Sequence, residues 1–431
     1  MNIAAEDARE IWARLGEEGK APSELTFAAG VLPLYSVALD PWIDRLNNTY
    51  LKSLSRKHAH FKLAIAPYGG GKTHFLMALG SRALKEDFAV SYIACKAGIN
   101  LDSPMDIYRS FMKGLQLRKP EKPGTLPLLQ TIIENKNEEI KNSGAPDPEA
   151  AFDMWVQNVA NDEYPELAFG RVMAEALRFQ IDPTRDVAGE AAIRWLRGEI
   201  DTLTKTERES LRLAKVSKKD QTELGRNLLL SVLCFVKEAG AHGTVVLFDE
   251  VETLFNARGR ALQRVLAAMR VMLDQAGGIT GGVPLFGVFA AVPDILEQIR
   301  RYEAVSQRLE VKGAPFEEGN NYAPQLHLEK VDTQKNLLEK LGERLISLGE
   351  IAIPFVFNQE LQCRNIGLLA RVASESNLEI DARRLFVKAC VNILQQQSHQ
   401  GEVEYPEDEM LNRYRGFFDD LRNQDRQEFE P

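Results

Sequence analysis

The sequence predicts an α/β fold: a three-layer core built on a parallel sheet, broken by a helical insertion and followed by an all-α C-terminal lid. Three observations carry this. An apolar run, Phe61 to Ile65, leads through a glycine-rich loop into a helix-like stretch from Thr73 to Lys85. A second unbroken apolar run, Thr244-Val-Val-Leu-Phe248, ends in Asp249-Glu250. After Val331 the strand signal fades and helical spacing takes over. Strands that alternate with helices indicate a parallel sheet covered on both faces.

Residues 1–60 read as a helical segment, with helical spacing over Ile3–Leu15 and again from about Asp40 to Ser55. The first part of the core, 61–117, holds the strand Phe61–Ile65, the glycine loop and its helix. A second strand, Phe88–Ile93, and a helix over Asp102–Leu117 follow, with Ser103-Pro104 marking the start of the helix. Residues 118–222 contain breakers (Lys119-Pro120, Gly144-Ala145-Pro146) between strong helix formers and no convincing strand, which predicts a helical insertion. The second part of the core, 223–330, starts with a helix from Glu223 to Ala239, stopped by Gly240. It continues with the Thr244–Phe248 strand, a helix over Arg260–Gln275 and a strand over Leu285–Val292. The lid, 331–400, reads as helices at Thr333–Leu348, Gln359–Ser376 and Asp381–Gln397. The acidic, polar stretch 401–431 is expected to be a solvated, partly mobile tail.

Composition narrows the function classes. At 431 residues and 44% hydrophobic, the chain is long enough for two or three subdomains with sizeable cores. No apolar run approaches the length of a membrane span, and Met1–Glu10 lacks signal-peptide character. Cys95, Cys234, Cys363 and Cys390 lie far apart without metal-type pairing, as expected of thiols in a reducing cytoplasm. A net charge of −9 makes the chain as a whole no obvious nucleic-acid binder, although local basic patches are compatible with it.

The glycine loop reads Ala66-Pro67-Tyr68-Gly69-Gly70-Gly71-Lys72-Thr73-His74. Consecutive glycines let the backbone fold tightly and aim N–H groups at phosphate oxygens, which side chains would obstruct. The following helix adds the positive end of its dipole. Lys72 is placed to reach the β- and γ-phosphates, and the Thr73 hydroxyl to ligate Mg²⁺. Ala66 stands where this pattern usually has glycine, a change the loop tolerates if φ stays negative there. The loop therefore predicts binding of a nucleoside triphosphate. At the end of the Val245–Phe248 run, Asp249 is placed to hold Mg²⁺ and Glu250 to polarise an attacking water. Glu252 reads as a solvated residue at a helix start.

Together, the GGGKTH loop, the strand ending in DE, the further strand and the helical lid resemble AAA+ ATPases, and within them the origin-recognition and helicase-loader group. Ala192-Ile-Arg-Trp-Leu-Arg-Gly-Glu199, the run from Leu229 through DEVETLF, Asp381-Ala-Arg-Arg-Leu-Phe-Val-Lys388 and Pro67-Tyr68 are similar to the ATP-binding proteins of bacteriophage-exclusion (BREX) defence systems. The resemblance implies ATP and Mg²⁺ as cofactors, slow ATP hydrolysis, a homo-oligomeric ring or filament, DNA, and a helicase-like partner in anti-phage defence. It also implies an arginine acting on a neighbouring subunit's site, best matched by Arg308 with Arg300 and Arg301 as competitors, and a lid arginine on the γ-phosphate, matched by Arg383 with Arg384 and Arg364 as alternatives. One departure stands out. Where the class offers a polar side chain at the end of the Leu285–Val292 strand, this chain has Ala290-Ala291-Val292, with Asp294 the nearest polar group and a possible helix cap. That departure points to a rival reading, a nucleotide-gated switch with little turnover.

Candidate DNA-contacting segments are Arg56-Lys57-His58, Arg118-Lys119 with Lys122, and Lys215 with Lys218-Lys219, each also readable as ordinary solvated charge. Too little chain follows the lid for a winged-helix domain. Trp195, between Arg194 and Arg197, is either a partner anchor or the buried face of an amphipathic helix, and the buried reading is favoured.

Overall fold

The computed structural model describes residues 5–19, 37, 39–52, 59–95, 103–118, 122–184, 186–217, 220–255, 285–309, 315–328, 334–376 and 382–428. The helix expected over Arg260–Gln275, the basic segment Arg56–His58, and Lys119, Lys218, Lys219 and Asp381 lie outside them.

In chain order, α1 (Ala5–Glu18) and α2 (Asp40–Leu46) precede β1 (Ala59–Ile65), α3 (Lys72–Lys85) and β2 (Ala89–Ala94). Then come α4 (Pro104–Gly114), β3 (Leu115–Gln116) and the insertion helices α5 (Thr125–Asn142), α6 (Pro148–Asn161), α7 (Phe169–Ile181), α8 (Asp186–Leu196) and α9 (Lys205–Ser210). The chain returns through α10 (Gln221–Glu238), β4 (Thr244–Asp249), α11 (Glu252–Phe255), β5 (Leu285–Ala291), α12 (Ile295–Arg300), α13 (Glu303–Leu309) and β6 (Gln325–His327). It closes with α14 (Gln334–Ala352), α15 (Gln359–Glu375), α16 (Ala382–Gln400) and α17 (Glu407–Glu428). These elements form two compact units. One comprises Met1–Arg45, Ala64–Ser81 and His327–Pro431; the other comprises Leu46–Leu63 and Arg82–Leu326.

The second unit is organised by the sheet. Among the described residues the strands form one six-stranded sheet in the order β3-β2-β4-β5-β1-β6, with β4 parallel to both β2 and β5. All six residues of β4 are buried, which is why its sequence is an uninterrupted apolar run rather than an alternating one. Phe289 on β5 stacks on Phe248 at 4.7 Å and on Phe61 at 5.6 Å between centroids. Gly287 makes room for this, because a Cβ there would stand 2.2 Å from the Phe61 ring. The sheet departs from an all-parallel expectation at one edge. Residues 115–116, read from sequence as the end of a helix, pair antiparallel with Val90 and Ser91. The helix stops at Gly114, whose missing Cβ lets the backbone pass the Tyr92 carbonyl; a Cβ would meet that oxygen at 2.2 Å.

Within residues 118–222 the described regular elements are helices. Asp147 caps α6 through the Ala150 N–H, and Thr204 and Glu207 form a reciprocal capping box on α9. Trp195 is 2% exposed, so the aromatic between two arginines is core rather than an anchor presented to a partner. Arg194 beside it pairs with Glu207.

In the first unit, α1 packs on α14 and α16, so the start of the chain belongs with the lid helices. The Trp12 indole N–H donates to Gln395 Oε1 at 2.7 Å, and Asn392 Nδ2 donates to the Gly16 carbonyl at 2.8 Å. The acidic stretch expected to be a mobile tail contains α17, which packs on α15 and α16 and buries Met410, Tyr414 and Leu421. These three residues recur at helical spacing, and one apolar stripe is enough to dock an otherwise charged helix.

Candidate functional site

The loop between β1 and α3 lies within the first unit. Gly69 (φ 71°) and Gly71 (φ 83°) adopt left-handed backbone, which L side chains rarely enter. Gly70 is required for space instead, since a Cβ there would stand 2.5 Å from the Ala66 Cβ. Ala66 is fully buried and is not among the residues with positive φ, so alanine is at ease at that position. The Gly70 N–H closes a turn onto the Pro67 carbonyl at 3.0 Å, and α3 begins at once, with Phe75 N–H donating to Gly71 O at 2.8 Å. The first-turn N–H groups of α3 are thereby directed along the helix axis toward the loop.

Lys72 is 8% exposed, and its Nζ donates to Ala66 O at 3.2 Å and Pro67 O at 3.1 Å. The ammonium also lies 5.2 Å from the ring centre of Tyr68, itself 75% exposed. Thr73 is exposed at the helix start. His74 is kept neutral, its pKa lowered to about 4 by burial and then by the Arg383 charge. Arg383, in the first turn of α16, donates from Nη1 to Gly70 O at 2.9 Å. Its sequence alternatives are engaged elsewhere: Arg384 with Glu18 O at 2.8 Å and Arg364 with Glu404 at 2.9 Å.

The carboxylates at the end of β4 lie in the second unit. Asp249 is 1% exposed. Its Oδ1 accepts from the Glu250 N–H at 2.9 Å, and its Oδ2 accepts from the Tyr92 hydroxyl at 2.7 Å. Glu250 has a φ of 53°, an uncommon conformation for a non-glycine residue and one that concentrates at functional positions. The conformation is held by surrounding bonds. The Thr253 N–H and hydroxyl both donate to Glu250 O, and the Thr253 hydroxyl also reaches Cys95 O. Next in the chain, the Val251 N–H donates to Ala290 O at 3.2 Å. Glu252 differs from expectation: it opens α11, which packs on α12, and is only 8% exposed. Burial and then the Asp249 charge push the Tyr92 phenol well above its ordinary pKa, so it remains a donor. The Cys95 thiol is raised to about 12 by burial and then by Asp249, Glu250 and Glu252, which makes it inert.

Tyr92, Cys95 and Thr253 are the residues that motif reading missed. The register holds the one available signal: Ala94 pairs with Asp249, and Tyr92, two residues earlier, points to the same face.

The remaining candidates divide plainly. The end of β5 is apolar, with Ala290 and Ala291 fully buried, and Asp294 makes no side-chain cap bond to α12. Arg308 falls in α13, with its side chain outside the described residues, while Arg300 and Arg301 are exposed. Arg118 pairs with Asp87 at 3.2 Å, and Lys122 and Lys215 are exposed.

Among the described residues no group of three His, Cys, Asp or Glu could hold a metal ion, and no helix is long and apolar enough to cross a membrane. A magnesium ion bound to nucleotide needs no such group. One hydroxyl, one carboxylate and phosphate oxygens suffice, and Thr73, in the first unit, and Asp249, in the second, each carry an oxygen donor of the hard type that this ion prefers.

A family model described as BREX system ATP-binding protein BrxC/D matches residues 31–410. No curated protein and no solved structure gives a significant match.

Proposed function

The chain belongs to the BREX system ATP-binding protein BrxC/D family, and from that premise we propose that it is an ATPase whose nucleotide cycle gates assembly on DNA with a helicase-like defence partner. The observation that supports this most is the loop itself: two left-handed glycines, a third without room for a Cβ, Lys72 and Thr73 at the start of α3, and Arg383 on the Gly70 carbonyl.

In this reading the α3 N-terminus and the loop N–H groups cradle the phosphates, and Lys72 exchanges its loop carbonyls for β- and γ-phosphate oxygens. Thr73 and Asp249 are the residues that would hold Mg²⁺ bound with ATP, and the ion would supply charge neutralisation to the phosphates. Glu250 accepts a proton from the attacking water as its oxygen bonds to the γ-phosphorus, and the bond to the β-phosphate bridging oxygen breaks to release ADP. Arg383 senses the γ-phosphate from the same chain. Arg308 of a neighbouring copy, in a ring or filament, stabilises charge on the transferring group, with Arg300 and Arg301 its competitors. Arg118, Lys122 and Lys215 are then the described candidates for DNA contact.

One observation favours a second reading, a nucleotide-gated switch with little turnover. The end of β5 offers only Ala290, Ala291 and Val292 where a polar side chain would help orient the reacting groups. A single experiment separates the two: ATP turnover by wild type and Glu250→Gln, with and without single- and double-stranded DNA. DNA-stimulated turnover that falls by about 100-fold or more in the variant is expected of the ATPase. Tight binding without turnover, indifferent to DNA, replaces it with the switch.

A further inference from the structure

We infer that Tyr92 is a positioning residue for Asp249, fixing the orientation in which the carboxylate would meet the metal bound with ATP. The inference rests on the proposed role of Asp249 as a Mg²⁺ ligand and adds a residue to which no role in nucleotide binding has been assigned.

The register on the sheet makes the arrangement possible. In the parallel pairing of β2 and β4, Tyr92 lies opposite Leu247 and Ala94 lies opposite Asp249. Side chains alternate between faces along a strand, so Tyr92, Ala94, Leu247 and Asp249 share one face. Ala94 contributes only a methyl group beside Asp249. The Tyr92 hydroxyl donates to Asp249 Oδ2 at 2.7 Å.

A carboxylate offers about four lone-pair sites on its two oxygens. On Asp249, Oδ1 accepts from the Glu250 N–H and Oδ2 accepts from Tyr92. With a donor on each oxygen, rotation about the Cβ–Cγ bond breaks at least one bond inside a buried site. The carboxylate plane is therefore set by β2 as well as by β4, before any cation arrives. Ligating carboxylates are commonly oriented by such outer hydrogen bonds, and loss of one such partner costs metal affinity. Tyr92 is half-buried, so replacing the hydroxyl by hydrogen leaves the ring packing in place.

The test is a Mg²⁺ titration of full-length wild type, Tyr92→Phe and Asp249→Asn, reading binding of a fluorescent ATP analogue, with parallel binding curves in EDTA. Tyr92→Phe is expected to raise the Mg²⁺ concentration for half-maximal binding by about tenfold while its metal-free affinity stays at the wild-type value. If Asp249→Asn shifts the Mg²⁺ requirement and Tyr92→Phe does not, the inference about Tyr92 is overturned and the metal assignment stands. If neither variant shifts it, the metal assignment fails and the inference goes with it. Equal weakening of Tyr92→Phe with and without Mg²⁺ would mark a general structural role, also overturning the inference. A lower Mg²⁺ requirement in Tyr92→Phe would show the phenol competing with the cation, and would overturn it too.

Discussion

The glycine loop and the end of β4 solve the same problem, holding charge in a buried setting, by opposite means. In the loop the charges are cations and their partners are main-chain carbonyls: Ala66 and Pro67 for Lys72, Gly70 for Arg383. At the end of β4 the charge is an anion held by one backbone N–H and one tyrosine hydroxyl from a neighbouring strand. Carbonyls come with any backbone, so the loop needs only the glycines that shape it. The carboxylate needs a particular side chain at a particular register. The loop is consequently written in consecutive residues, whereas the setting of Asp249 is spread over Tyr92, Cys95, Glu250 and Thr253.

The sharpest way to break this comparison is to remove the central cation. Lys72→Ala is expected to weaken ATP binding by roughly 100-fold, about 2.8 kcal/mol, in a calorimetric titration; tight binding by the variant would remove the loop from nucleotide recognition. A smaller effect separates the two neighbouring lid arginines. Arg383→Ala should weaken ATP binding by about tenfold, within the range of a charge-assisted hydrogen bond, while Arg384→Ala, engaged with Glu18 O, should change it by less than about threefold. Equal losses would show that the lid acts as a block and not through one guanidinium.

No effect on ATP binding is expected of a second buried lysine, which gives the cleanest contrast with Lys72. Lys62 on β1 donates to Tyr322 O at 3.1 Å and Ala323 O at 2.6 Å, with its ammonium over the Tyr50 and Phe316 rings. Burial lowers its pKa to about 7 from an ordinary value of 10.5. Between these values the unfolded chain holds a proton that the folded chain has released, so stability rises with pH across that window and is lost as pH falls through 7. Lys62→Met should remove this dependence, on the order of a few kcal/mol, in chemical denaturation at pH 6.5 and pH 10. A wild-type slope retained by the variant would assign the dependence to other groups. ATP affinity should stay unchanged.

Lys62 also shows what the sequence made legible and what it hid. The apolar runs at Phe61–Ile65 and Thr244–Phe248 were readable as strands because both are buried on two faces, and a lysine inside the first did not disturb the pattern. The carbonyls that accept from it lie some 260 residues away, and no local pattern reveals them. The same holds for β3, too short for any periodicity, and for Glu252, buried on a helix that packs on α12. At the candidate site the motif residues could be named from the sequence. Their supports could not, because hydrogen-bond partners such as Tyr92 are chosen by register across the sheet, and register is a property of two strands at once.

The docking of α1 on the C-terminal helices has a practical consequence. Gly19, just past the end of α1, has a φ of 67°, and a Cβ on it would stand 2.3 Å from Arg384 O, the residue next to Arg383. The end of α1 is thus fastened to the helix that reaches the glycine loop. A fluorophore placed on exposed Glu6 would ride with the lid helices, turning the start of the polypeptide into an optical reporter for them, and a truncation meant only to trim the chain before Asp40 would strip a wall from the lid.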